Sequence, residues 1–318
     1  MKNVKRKNGF INLDELANDP SFRMIPWRNN ESMVEEFGHS HIKYIFYYNN
    51  EIYIYKTPDY THQCYYELIA EELAHDFSIP TAHYDLAYKS GEGKGVISKN
   101  FKLANHNYIK GYDLLKDYVK NCLYKNKNIT DFDTDEEIEK YNCLEGIWTA
   151  FEYRYLSHPN RIEIVNKLMS QLVDMFIFDT LTGQTDRYEE NWGIVENDEE
   201  IFLQPLYDNE FILFNETYFY FTPHTESNRG SYLNFNEGLK KILSEFLSVS
   251  DDEFIERLKE KIPLITKENI DNIILRIEKR IEAPIPKGIK KQVSTNFKKI
   301  ETIVKTALSE YEEKRITR

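Results

Sequence analysis

Two side chains five positions apart, Asp186 and Asn191, have the chemical types that phosphoryl transfer requires. That reaction needs a carboxylate to orient the attacking hydroxyl group and accept its proton, and oxygen ligands that hold magnesium against the phosphates. The interval equals the Asp-to-Asn interval of a protein kinase catalytic loop. Asp208 follows a short predicted strand pair and offers a second magnesium ligand. The pattern predicts a catalytic role for Asp186 and a metal site at Asn191 and Asp208.

The same three residues also have an ordinary structural interpretation. Asp186 could cap a turn, Asn191 could begin a strand, and Asp208 could close a hairpin. The five-residue spacing on its own favours this structural alternative. The elements around the three residues and the flanking sequence therefore decide between the two interpretations.

The first part of the chain predicts a small, mostly antiparallel sheet with one helix. Residues 43–56 form two β-prone runs around Asn49-Asn50, a hairpin pattern that ends at Lys56. Apolar residues recur at helical spacing over 64–77, before Ile79-Pro80 stops the helix. Two further strands, 83–86 and 95–98, flank a turn that contains Gly91 and Gly93. This part, residues 1–104, is predicted to be a separate lobe.

The rest of the chain, residues 105–318, is predicted to be a mainly helical second lobe. Helical spacing recurs along this part in the ranges 113–124, 135–155 and 160–181 and in several helices after Glu237. A strand pair, 192–195 and 201–207, interrupts the helices, and it follows the longest of them. Asn191 therefore precedes this pair and Asp208 follows it.

The stretch from Thr180 to Gly193, followed by Pro205-Leu206-Tyr207-Asp208-Asn209, resembles the HipA-like serine/threonine protein kinases. Within that family it is most similar to the CtkA-like subgroup. The family's D-x-H-x-x-N motif supplies the catalytic Asp and a magnesium ligand, and a later Y-D or F-D supplies the other ligand. The resemblance implies these roles for Asp186, Asn191 and Asp208. It also implies a two-lobed, protein-kinase-like α+β fold, with a small antiparallel-sheet N-lobe and a larger helical C-lobe.

The first lobe extends the resemblance. Residues 66–70 and 79–82 match the family's E-x-x-A and L-x-I-P-x-A patterns, and 98–101 match the strand before the hinge. Lys56 takes the position of the nucleotide-binding lysine, where its ammonium group would neutralise phosphate charge and Glu67 would hold it by an ion pair. A solvated strand end for Lys56 and a helix surface position for Glu67 stay open as alternatives.

The chain also departs from kinase patterns. Tyr188 stands where the family usually has His, which bears on proton handling and loop support. There is no H-R-D, A-P-E or G-x-G-x-x-G sequence. The segment 37–41 takes the place of a phosphate-covering loop, so Ser40 is predicted to contact phosphate; a turn serine and an autophosphorylation site are its alternatives. His39 and His41 have no third ligand nearby in the sequence, so zinc binding is not predicted.

The resemblance implies an enzyme that uses ATP and Mg²⁺ to phosphorylate a Ser or Thr hydroxyl group of a protein substrate. Some members of the family are bacterial toxins of toxin–antitoxin pairs or secreted effectors, so a small antitoxin is an expected partner. A lipid or small-molecule kinase is an alternative, because Asp-Arg followed closely by Asn is also similar to phosphoinositide kinases. The other alternative is a pseudokinase scaffold that binds partners without transferring phosphate.

Composition limits partners and location. The 41 Lys and Arg against 53 Asp and Glu give a net charge of -12, which argues against nucleic-acid binding by this chain. The basic N-terminus has no apolar run after it, so neither a signal peptide nor a membrane role is predicted. Cys64, Cys122 and Cys143 have no C-x-x-C spacing and are predicted to be reduced, buried thiols. The expected location is the cytoplasm, with secretion as an effector left open.

Overall fold

The computed structural model describes residues 4–25, 43–102, 105–123, 134–197, 199–213, 219–223 and 234–316. The chain forms two compact units. Unit 1 comprises Met1–Lys102, Asp208–Glu210 and Lys267–Thr295. Unit 2 comprises Leu103–Tyr207, Phe211–Thr266 and Asn296–Arg318. The sequence predicted one boundary near residue 104, and the structure returns to the first unit twice after that point.

The described residues contain both strands and helices. The strands are β1 Arg6–Lys7, β2 Phe10–Asn12, β3 Phe22–Ile25, β4 Lys43–Tyr48, β5 Glu51–Lys56, β6 Tyr84–Lys89, β7 Gly93–Lys99, β8 Asn107–Lys110, β9 Gly193–Glu196 and β10 Ile201–Leu203. The α-helices are α1 Leu13–Leu16, α2 Thr61–Phe77, α3 Gly111–Tyr118, α4 Thr134–Tyr141, α5 Leu144–Arg154, α6 Arg161–Thr182, α7 Phe235–Val249, α8 Asp252–Lys261, α9 Lys267–Ile281 and α10 Lys287–Ile316.

Unit 1 is built on a seven-stranded sheet with the order β1-β2-β6-β7-β5-β4-β3. Its neighbouring strands are antiparallel except for β2 and β6, which are parallel. The four strands β4 to β7 match those predicted from the sequence. Strands β1, β2 and β3 were not predicted, because runs of two to four residues are too short to show a period-two pattern.

The hairpin of β4 and β5 places Lys56 at the last position of its strand. Asn49 and Asn50 form the tip with φ angles of 51° and 64°, the left-handed conformation that Asn tolerates in a two-residue turn. Phe46 and Tyr53 stack across the pair with ring centroids 5.4 Å apart, and Phe46 is completely buried. Cross-strand aromatic contacts of this kind hold the register that sets the direction of the Lys56 side chain.

Helix α2 packs against this sheet and ends where the sequence predicted. Gln63 accepts a hydrogen bond from the backbone N–H of Tyr60 at 2.8 Å, which satisfies a donor at the helix start. At the other end Ser78 is left-handed, with φ 63°, and the N–H of Ile79 donates to the carbonyl of Ala74 at 2.8 Å. The helix thus spans a fixed length, with Glu67 on its buried side.

Unit 2 combines the sheet β10-β9-β8 with a helical core. Helix α6 lies within this core and ends at Gly183, whose φ of 65° turns the chain out of the helix. A predicted single helix over 135–155 is two helices, because Cys143 adopts an extended backbone and caps α5. The predicted strand 201–207 forms only over Ile201–Leu203. The sharp end of α6 delivers the chain into the loop that precedes β9.

The two cysteines whose side chains are described agree with the sequence prediction. Cys64 and Cys143 are buried free thiols, and burial raises the pKa of Cys64 to about 12, so it is a packing residue and not a reactive thiolate. The side chain of Cys122 lies outside the described residues. Among the helices of the described ranges, none combines the length and the hydropathy that crossing a membrane would require.

Candidate active site

The loop between α6 and β9 brings Asp186 and Asn191 together in unit 2. Asn191 is buried, and its amide nitrogen donates to the carbonyl oxygen of Asp186 at 2.7 Å and faces the Asp186 carboxylate at 3.4 Å. The N–H of Asn191 donates to the carbonyl of Tyr188 at 2.9 Å, closing the loop on itself. Asp186 is only half-buried. The loop therefore holds a carboxylate and an amide oxygen in a fixed relation, with the carboxylate accessible.

Arg187 ties this loop to its supports from the inside. Its guanidinium is completely buried and pairs with both oxygens of Asp179 on α6, each at 3.0 Å. Its remaining nitrogen donates to the carbonyl oxygens of Asn191 and Tyr207, both at 2.9 Å. Burial raises the pKa of Asp179, and the charge of Arg187 opposes that rise. One side chain thus fixes the loop and the residue that precedes Asp208 in the chain.

Asn142, the residue directly after α4, supports the same loop. Its amide nitrogen donates to the carbonyls of Arg187 and Tyr220 at 2.9 and 3.0 Å, and its oxygen accepts from the Trp192 indole at 2.8 Å. Tyr188, at the family's usual His position, lies beside Tyr220 with ring centroids 6.0 Å apart. The sequence analysis missed Asn142, Arg187 and Asp179. The sequence did contain a signal for two of them, because Asp179 stands in the apolar end of α6 and Arg187, of opposite charge, stands in the loop that follows.

In unit 1, Lys56 and Glu67 form a buried ion pair. The Lys56 ammonium lies 2.6 Å from a Glu67 oxygen, and their side chains are 7% and 0% exposed. Lys56 also forms a hydrogen-bonded ion pair with Asp208 and lies 3.1 Å from a Glu210 oxygen. Lys56 is therefore not a solvated strand end and Glu67 is not a helix surface residue. The sequence analysis missed Glu210, two residues beyond Asp208.

Backbone contacts hold Asp208 in this cluster. Asp208 is left-handed, with φ 56°, and its N–H donates to the Tyr84 hydroxyl at 3.0 Å. The next N–H, that of Asn209, donates to the second oxygen of Glu67 at 2.9 Å. Glu67 thus binds Lys56 with one oxygen and the Asp208–Glu210 segment with the other. The Asp208 side chain remains 28% exposed, so it is the member of the cluster that a ligand can reach.

Carboxylate groups are crowded together in this cluster. Three carboxylates, those of Glu67, Asp208 and Glu210, surround one ammonium group. Burial alone would lower the pKa of Lys56, but these carboxylates raise it well above its ordinary value, so the lysine stays charged. Burial raises the pKa of Glu67, since Lys56 offsets only part of the desolvation. Carboxylate oxygens are therefore crowded around Lys56, and a cation that binds beside them would reduce their mutual repulsion.

The donor set fits magnesium. One oxygen from each of Glu67, Asp208 and Glu210 lies within 4.8 Å of the others, and hard oxygen ligands are those that Mg²⁺ prefers. In unit 2, Asn191 offers the amide oxygen of the predicted second ligand. Ser40, the predicted phosphate contact, lies outside the described residues. The structure thus joins Lys56, Glu67 and Asp208 in one cluster and Asp186 and Asn191 in another.

Comparisons with known proteins point to one fold. No protein-family model matches the chain, and no curated protein matches it in sequence. The crystal structure of the Helicobacter pylori proinflammatory kinase CtkA matches 85% of this chain and 94% of its own, with 17% identity and a TM-score of 0.58. HipA of Shewanella oneidensis MR-1, solved with HipB and operator DNA as a toxin–antitoxin system, matches 93% and 74%, with 15% identity and a TM-score of 0.57.

These matches confirm the resemblance at the level of the fold. The chain has the HipA/CtkA-like fold, and the expected α+β class with a two-lobed, protein-kinase-like architecture is confirmed. The sequence identities to the two matched proteins, 17% and 15%, are far below those at which a substrate or partner can be inferred for this chain. The acceptor and the partners must therefore be argued from the two clusters and tested.

Proposed function

We propose that this chain, with its HipA/CtkA-like fold, is a kinase that transfers the γ-phosphoryl group of ATP to a Ser or Thr hydroxyl group of a protein, with Mg²⁺. The observation that carries the proposal is the buried Lys56, which pairs at 2.6 Å with Glu67 and also with Asp208. A lysine is rarely buried unless it is paired, and a buried charged cluster with perturbed pKa values is a candidate site for a charged ligand. Nucleotide phosphates and their metal ion supply such charges.

Each residue of the unit 1 cluster has a role in this proposal. Lys56 neutralises phosphate charge, and Glu67 keeps its ammonium group in place. Asp208 is the exposed carboxylate of the cluster and serves as a magnesium ligand. Magnesium bound there would offset the developing charge on the transferred phosphoryl group.

The unit 2 loop has the complementary roles. Asp186 orients the acceptor hydroxyl group and accepts its proton, and the Asn191 amide oxygen is the other magnesium ligand. The amide nitrogen of Asn191 is already bound to Asp186, so its oxygen is the atom left to coordinate a cation. Tyr188 cannot accept a proton as a His would at neutral pH, so Asp186 is the base of this loop.

Two kinds of observation support an active kinase. The matched CtkA protein is a kinase, and the chain shares its fold over most of both proteins. The residues that the chemistry needs are all present and held by ion pairs or hydrogen bonds, which argues against a pseudokinase scaffold. A lipid or small-molecule acceptor is the main rival, because none of the described contacts distinguishes the hydroxyl group of a protein from that of another acceptor.

The acceptor is identified by incubating purified protein with γ-labelled ATP and Mg²⁺, together with either cell-lysate proteins or phosphoinositide vesicles. We expect label on Ser or Thr of a protein, lost in Asp186→Asn and kept in Glu199→Gln, a matched change of an exposed carboxylate. Label in lipid alone would replace the protein acceptor with a lipid. ATP binding without any transfer would favour a scaffold.

The partner and the location are part of the same proposal. HipA, whose fold this chain shares, was solved with HipB in a toxin–antitoxin system. By analogy, a small antitoxin protein is the proposed partner, and the cytoplasm is the proposed location. Co-expression with the small protein encoded beside its gene tests this idea. Growth arrest that the small protein relieves, together with co-purification, would support it; harmless expression would remove it.

A further inference from the structure

Helix α9 joins unit 1 from almost 200 residues beyond α2, and charged side chains bind the two helices together. Arg276 pairs with Glu72 at 2.9 Å and with both oxygens of Asp76 at 2.9 and 3.0 Å. Asn269 donates to Asp76 at 3.0 Å. These contacts lie toward the C-terminal end of α2. They fasten α9 to the helix that carries Glu67.

The contact nearest to Glu67 is buried. Arg280 donates to Glu71 at 3.0 Å, and Glu71, one helical turn after Glu67, is 0% exposed. The other oxygen of Glu71 lies 2.6 Å from the His83 ring nitrogen. Burial acts to raise the pKa of Glu71, but the His83 hydrogen bond and the Arg280 charge outweigh it, and the pKa lies below its ordinary value. Glu71 is therefore an ionised, buried anchor.

Glu71 also reaches the strand that supports Asp208. The N–H of Tyr84 donates to the Glu71 carboxylate at 3.1 Å, and the hydroxyl of the same tyrosine accepts the N–H of Asp208 at 3.0 Å. Tyr84 is 3% exposed, so both of its bonds lie inside unit 1. A single carboxylate thus connects α9, the helix of Glu67 and the backbone of Asp208.

We propose that Arg280 is a positioning residue for nucleotide binding, acting through Glu71 to hold Glu67 and Asp208 on Lys56. This inference rests on the proposed function of the Lys56 cluster. Arg280 itself does not contact Lys56, Glu67 or Asp208 in the described contacts. It holds α2 in its position against α9. It also holds the Tyr84 hydroxyl where that group accepts the hydrogen bond from the Asp208 N–H. Helix α9 is therefore part of the nucleotide machinery.

Arg276 provides a matched control on the same helix. It pairs with Glu72 and Asp76 of α2, and Arg280 also lies 3.1 Å from Glu72. The Arg276 side chain is 42% exposed against 22% for Arg280, and neither Glu72 nor Asp76 is the residue that reaches Tyr84. Exposed ion pairs contribute little to stability, whereas a buried partner left without its counter-charge is displaced. Changes at the two arginines should therefore differ in their effect on the cluster.

The test compares Arg280→Gln, Arg280→Lys and Arg276→Gln by ATP affinity, by the kcat and KM of phosphotransfer, and by amide hydrogen exchange of α2. We expect Arg280→Gln to weaken ATP binding and raise KM about tenfold, as lost supporting contacts do at ligand sites. Exchange should quicken at the amides around Glu67. Arg280→Lys should recover part of the affinity, and Arg276→Gln should change it less than about twofold.

A double-mutant cycle separates positioning from general loss of stability. If Arg280 acts through Glu71, the double variant Arg280→Gln with Glu71→Gln should weaken ATP binding no more than the more damaging of the two single changes does. Additive losses, or equal losses in Arg276→Gln and Arg280→Gln, would overturn the inference. Wild-type protein that fails to bind ATP would instead overturn the proposed function, while the α2 exchange rates would still show whether Arg280 holds the helix.

Discussion

Each unit has a buried basic residue among ion pairs, Arg187 in unit 2 and Lys56 in unit 1, but the charges around these two residues are arranged differently. In unit 2, Arg187 meets one carboxylate, Asp179, and its other hydrogen bonds go to backbone carbonyls. In unit 1, Lys56 meets three carboxylates. The first arrangement is neutral and complete. In the second, one ammonium group lies among three carboxylates.

This difference separates what builds the site from what binds to it. A neutral buried pair with every hydrogen bond made holds a loop in one shape and needs no further ligand. Crowded carboxylates repel one another less when a cation binds beside them. Under the proposed function, unit 2 therefore sets geometry and unit 1 binds magnesium and nucleotide.

The largest expected effect breaks the neutral pair. Arg187→Met leaves Asp179 buried without its counter-charge and releases the carbonyls of Asn191 and Tyr207, so the free energy of unfolding should fall by about 3–5 kcal/mol. Denaturant unfolding measures this. The control is Arg154→Met, which breaks a partly exposed pair with Glu196 and should cost less than about 1 kcal/mol. Equal losses of unfolding free energy in the two variants would mean that the burial of Arg187 does not make its ion pair more important for stability.

Magnesium binding gives the next effect. Because the three carboxylates lie in unit 1 and the proposed function makes Asp208 a metal ligand, Mg²⁺ with ATP should raise the free energy of unfolding of wild-type protein by about 2–3 kcal/mol at ligand concentrations near 100 times Kd. Asp208→Asn should lose most of this gain. The two thermal unfolding curves, with and without Mg²⁺, measure it. A variant that gains as much as wild type would remove Asp208 from the metal site.

Glu210→Gln tests the crowding of carboxylates itself. Removing one of three carboxylates around Lys56 should raise the free energy of unfolding in magnesium-free buffer by about 1 kcal/mol, because it relieves the repulsion between like charges in a buried site. Glu51→Gln, at an exposed carboxylate paired with Lys99, is the control and should be nearly neutral. A clear destabilisation by Glu210→Gln would show that Lys56 requires all three partners.

A paired carboxylate outside both clusters gives the smallest effect and a benchmark. Burial acts to raise the pKa of Glu196, but hydrogen bonds from Arg154 and Tyr155 outweigh it and lower the pKa. A depressed native pKa adds stability above the unfolded value of 4.5 that disappears as pH falls through the native value. Glu196→Gln should lose less than about 1 kcal/mol at pH 7. Its stability should converge with wild type in acid, and a constant difference at all pH values would contradict this.

The sequence predicts the parts of the site that depend on local pattern. The loop between a long helix and a strand pair carries Asp186 and Asn191, and the hairpin tip at Asn49-Asn50 fixes where Lys56 falls. Such features follow from periodicity and turn chemistry within about 20 residues. The fold class followed from the family resemblance.

The rest of the site depends on contacts between distant residues. Glu210 joins Lys56 across more than 150 positions, and Arg280 joins Glu71 across 209. No local pattern distinguishes such an arginine from the many on a solvated helix face. Arg187 was missed for a related reason, since an Asp-Arg pair eight residues apart becomes meaningful only when the turn at Gly183 folds the loop back on α6.

The most direct test of the account measures Mg²⁺-ATP binding and labelled phosphate transfer side by side in wild type, Asp186→Asn and Asp208→Asn. The account predicts that Asp186→Asn binds nucleotide as wild type does but transfers about 10²–10⁴-fold more slowly. It predicts that Asp208→Asn loses both the magnesium-dependent binding and the transfer. Transfer at the wild-type rate by Asp186→Asn would contradict the assignment of the two clusters to one phosphotransfer reaction.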